Sequence, residues 1–147
     1  MGALTQAEVM KVLPFIDKDS LEIINILYPS DQKFITSKNS CELLFPVDDL
    51  AKTEQWRSAT QLFIELSTVT TAIPNMNITH FAVLDILVKT VSSEDVLYMK
   101  TALLNSSTFQ KFKFTFHNST IDDRLHSLIG DPYRTIPFCQ KKFGISE

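Results

Sequence analysis

The sequence predicts a mainly α protein: a single compact bundle of five to six helices spanning 1–147, with at most one small pair of β-strands. Three observations predict it. Glycine occurs only at Gly2, Gly130 and Gly144, where average usage near 7% gives roughly ten, so the primed hairpin turns that need φ > 0 are disfavoured. Helix starts with complete capping chemistry recur along the chain. Apolar residues fall at spacings of three and four through the middle of the sequence.

The first element follows from Leu4-Thr5-Gln6-Ala7-Glu8-Val9. Thr5 caps, Glu8 closes the capping box and Leu4 with Val9 forms a staple, giving a helix to about Leu13, before Pro14. Asp19-Ser20-Leu21-Glu22 offers a second acidic start, stopped by Tyr28-Pro29. Residues 30–46 are divided between a hairpin, pairing 33–36 with 41–45, and a short helix.

From Glu54, Trp56, Ala59, Phe63, Leu66 and Ile73 recur on one side while Ser58, Gln61, Glu65 and Thr68 occupy the other, predicting an amphipathic helix to Pro74. A central helix over 78–91 is expected next, apolar nearly all round, with Asp85 and Lys89 paired one turn apart. The core of the domain is expected on the 54–73 and 78–91 helices, with Phe63 and Leu84 among its buried side chains. Val91-Ser92-Ser93-Glu94-Asp95-Val96 repeats the box and starts a helix to about Leu104.

The period then changes to two over Phe109 to Phe116, setting Phe112, Phe114 and Phe116 opposite Lys111, Lys113 and Thr115. This is the best strand. A short helix with an Ile121, Leu125, Leu128, Ile129 stripe ends at Gly130. Residues 131–147 are expected as an irregular apolar tail.

Composition excludes much chemistry. Without glycine between residues 3 and 129 there is no P-loop, dinucleotide-binding turn or nucleophile elbow. Cys41 and Cys139 are too few for a disulfide framework or a four-thiolate zinc site. Asp122 and His126 share a helical face, but no third ligand stands at a metal-binding spacing. No metal, cofactor or small-molecule substrate is expected. Glu8 and Lys11 interrupt any leader-like apolar stretch, position 6 is Gln6 where acylation of Gly2 wants Ser or Thr, and the run Phe81 to Leu84 is far too short to span a bilayer. The expected location is the cytoplasm, away from membranes.

Net charge is −3, divided between residues 1–88 (6 basic, 11 acidic, net −5) and 89–147 (8 basic, 6 acidic, net +2). The expected function is therefore non-enzymatic protein–protein binding, foremost self-association into a homo-oligomer, with an adaptor, structural or viral assembly role read from class alone. Its expected interface is the tail: Tyr133, Arg134, Ile136, Phe138, Lys141, Lys142 and Phe143. Two alternatives stand beside it. One is an RNA-binding strand using Lys111 and Lys113 with Arg124, Arg134, Lys141 and Lys142, where aromatics stack bases and cations meet phosphates. The other is an enzyme whose site only the tertiary structure assembles.

Overall fold

The computed structural model describes residues 5–27, 43–120, 133–134 and 141–146, with side chains over 5–27 and 43–117. It corrects the fold class. The chain is an α/β protein built on a mostly parallel sheet, with three α-helices among the described residues, α1 (Gln6–Met10), α2 (Glu54–Ser58) and α3 (Ser93–Leu104), rather than an α-helical bundle. The strands are β1 (Ile23–Leu27), β2 (Leu44–Phe45), β3 (Gln61–Val69), β4 (Val83–Ser92), β5 (Lys111–Thr120), β6 (Tyr133–Arg134) and β7 (Lys141–Ser146). Their order is β1-β3-β4-β5-β7-β6, with β2 in the lane of β1, further along β3.

The five strands β1 to β5 are parallel, and only β7, against β5, and β6, against β7, introduce antiparallel pairing. Parallel neighbours are joined by crossovers, not tight hairpins. Lack of glycine therefore argued against a turn type this sheet does not need. The strand starts align, with Ile23, Gln61, Val83 and Lys111 in one row. Below that row the ladder continues through Thr60 N–H to the Glu22 carbonyl (2.8 Å), Ala82 N–H to Thr60 (2.7 Å) and Gln110 N–H to Ala82 (2.9 Å).

Two capping boxes form as the sequence predicts. The Thr5 hydroxyl accepts from Glu8 N–H while the Glu8 carboxylate accepts from Thr5 N–H, although α1 ends at Met10. Ser92 and Asp95 do the same for α3, which ends at Leu104. The middle of the chain departs from expectation. The 54–73 segment is helical only to Ser58 and then becomes β3; the 78–91 segment supplies β4; the 19–28 segment supplies β1. In each case apolar residues on both faces of a strand mimic helical spacing. Asp85 consequently pairs not with Lys89 but with Lys113 on the next strand, at 2.7 Å. The tail, expected to be irregular, contributes β6 and β7. The proposed 121–129 helix, the 33–36 half of the hairpin, Cys41 and Cys139 lie outside the described residues.

One face of the sheet carries the core. Ile24 and Ile26, Leu62 and Ile64, Leu84, Ile86 and Val88, and Phe112, Phe114 and Phe116 are buried in a single cluster with Trp56 from α2 and Val96, Met99 and Leu103 from α3. Trp56 anchors this layer. Its indole N–H lies 3.0 Å from the carbonyls of both Met76 and Asn77, and its ring meets Phe81 edge-on at 5.5 Å.

Candidate functional site

The opposite face of the sheet is only partly covered. Its first row is Ile23, Gln61, Val83 and Lys111; its second is Asn25, Phe63, Asp85 and Lys113. Ile23 and Leu27 are about half exposed (48% and 53%), while Phe63, Val83 and Leu87 are half-buried. Parallel sheets nearly always have both faces buried. Among the described residues this face keeps half-exposed apolar side chains, and the strand order bears on why. From β1 through β3 and β4 to β5 the chain steps across the sheet in one direction, and crossovers between parallel strands are right-handed in about 98% of cases. The described connections, from β2 to β3, β3 to β4 and β4 to β5, fall on the core side. A sheet wound in both directions covers its second face by reversing strand order; β1 to β5 make no such reversal.

The centre of this open face is polar. Lys113 Nζ donates to an Asp85 carboxylate oxygen at 2.7 Å, with each side chain about one-third exposed. Lys111 is exposed beside it and, among the described residues, has no ion-pair partner. Toward the strand C-termini the face closes: Thr68 and Thr115 are buried, and the Thr68 hydroxyl lies 3.1 Å from His117 Nε2. Between Ile64 and Thr68, β3 carries three residues that β4 does not match, a bulge over Glu65, Leu66 and Ser67. Leu66 there has φ 62° and is 60% exposed. Bulges of this kind re-aim side chains and cluster near functional sites.

A family model for the FTH domain matches residues 1–128. The chain belongs to the FTH domain family. No curated protein and no solved structure matches it. In this FTH domain the match takes in every strand of the open face described above, β1 to β5, and stops before β6 and β7.

The residues proposed from sequence are redistributed by the fold. Lys111 and Lys113 lie on the partly covered face of β5, an internal strand between β4 and β7. Phe112, Phe114 and Phe116 are core side chains, at most 4% exposed, so the aromatic half of an RNA platform is turned away from solvent. Tyr133 and Arg134 belong to β6, and Lys141, Lys142 and Phe143 to β7, so the backbone of the expected interface is paired within the sheet. Ile136, Phe138, Arg124, Asp122 and His126 lie outside the described residues. Sequence reasoning missed Ile23, Leu27, Val83 and Leu87 as residues of this face; 23–27 and 83–88 are apolar on both strand faces, so no polar–apolar alternation singles them out.

Elsewhere the described residues offer less. Among them no group of three or more His, Cys, Asp or Glu side chains converges as a metal site would require, and no helix is long and apolar enough to cross a membrane. An open cleft of about 630 Å³ between α1 and the 49–53 turn is lined by Gln6, Ala7, Met10, Asp49, Lys52 and Thr53. It has a structural use: Gln6 Oε1 accepts from Asp49 N–H (2.8 Å) and Leu50 N–H (3.3 Å), capping the turn. His80 has its pKa lowered by burial, against the bond it makes to the Trp56 carbonyl at 2.8 Å. The exposed Lys18–Glu54 pair (3.0 Å) raises the lysine and lowers the carboxylate through their mutual hydrogen bond.

Proposed function

We propose that this FTH domain is a non-enzymatic, cytoplasmic protein-binding module whose contact surface is the open face of the sheet. The observation that carries this reading is apolar exposure on one face of the sheet among the described residues: Ile23 and Leu27 are about half exposed, and half-buried Phe63, Val83 and Leu87 lie on the same face. Exposed apolar side chains grouped on one face, among polar neighbours, are a mark of an interaction site. Singly wound solenoids use sheet faces left free by their topology in the same way.

Photo-crosslinking tests it. A benzophenone amino acid placed at Phe63 or Leu87 should give covalent protein adducts in cells, and the same group at the exposed Leu97 on the outer side of α3 should give few. Equal yields from Leu97, or adducts to RNA in place of protein, would remove this face as the protein-binding site. Adducts whose mass is twice that of the chain would identify self-association as the form the binding takes.

A further inference from the structure

We draw no further inference here: the strongest candidate, the half-exposed apolar patch of Ile23 and Leu27 beside Phe63, Val83 and Leu87 on the second face of the sheet, belongs to the site already described, and nothing in the structure shows what covers it.

Discussion

Leu66 provides the most direct test of the bulge in β3. Its φ of 62° places a residue with a Cβ in the left-handed region, at a cost of about 1–2 kcal/mol. Compare Leu66→Gly with Leu66→Ala. Both remove the same partly buried side chain, so the difference between them isolates the backbone. Glycine relieves the left-handed strain but gives up about 0.5–1 kcal/mol of unfolded-state entropy, which leaves it ahead of alanine by about 0.5–1 kcal/mol. In an ordinary strand interior the order is reversed, alanine being better by a similar amount. Urea unfolding reads the sign: with a slope near 2 kcal/mol/M the glycine midpoint should lie about 0.3–0.5 M above the alanine midpoint. An alanine variant equal to or more stable than the glycine variant refutes the strained bulge. If the exposed Leu66 side chain also touches the partner, both variants should bind more weakly while only their stabilities diverge.

Four further outcomes follow from the same structure. Leu84→Ala, at a side chain 1% exposed, should cost about 2–5 kcal/mol in chemical denaturation, whereas Phe63→Ala, on the open face, should cost clearly less. Ser92→Ala removes the capping hydroxyl of α3 and should cost about 1 kcal/mol, read from the thermal midpoint. Burial lowers the His80 pKa below its ordinary 6.5, so below that pH the unfolded chain takes up a proton the folded chain resists; stability should be full above pH 6.5 and decline as pH falls toward the depressed value, and His80→Gln should flatten that slope. Deleting residues 131–147 removes β7 from six register pairs with β5; the truncated chain should aggregate with concentration, as an uncovered strand edge does, and a well-behaved folded monomer would show that β7 is dispensable.

The parts of the fold legible in the sequence are those written in adjacent residues. Thr5 with Glu8 and Ser92 with Asp95 declare helix starts because each box closes within one turn. Phe112, Phe114 and Phe116 declare β5 because three large residues alternate with polar ones. The segment from Glu54 to Ile73 misleads because Trp56, Ala59, Phe63, Leu66 and Ile73 fit a helical stripe, while the buried Leu62 and Ile64 that contradict it sit between its members. A strand with apolar residues on both faces reads as a nearly continuous run, and periodicity alone does not separate it from a buried helix. In β4 the better guide was composition: Val83, Ile86, Val88, Thr90 and Val91 are β-branched, which favours strands. The open face was illegible for another reason. Ile23, Phe63, Asp85 and Lys113 come from four separate segments and become neighbours only once strand order and register are fixed.

That dependence on strand order explains why a binding surface arises here without any local motif. Had one strand after β3 been placed on the far side of β1, its right-handed connection would have crossed the other face, covering Ile23 and Leu27 with the chain's own helix. Each step from β1 to β5 advances in the same direction, and Trp56 of α2 and Val96, Met99 and Leu103 of α3 join the core on the other face. The Asp85–Lys113 pair makes the exposed face tolerable meanwhile. A wholly apolar central row would invite indiscriminate association, whereas a paired carboxylate and ammonium keep water at the middle of the patch and penalise any partner that buries them without matching their remaining hydrogen bonds. Replacing both by leucine should therefore raise nonspecific association. Light scattering reads the effect; a double-leucine variant that stays monodisperse would show that the pair plays no part in keeping this face from self-association.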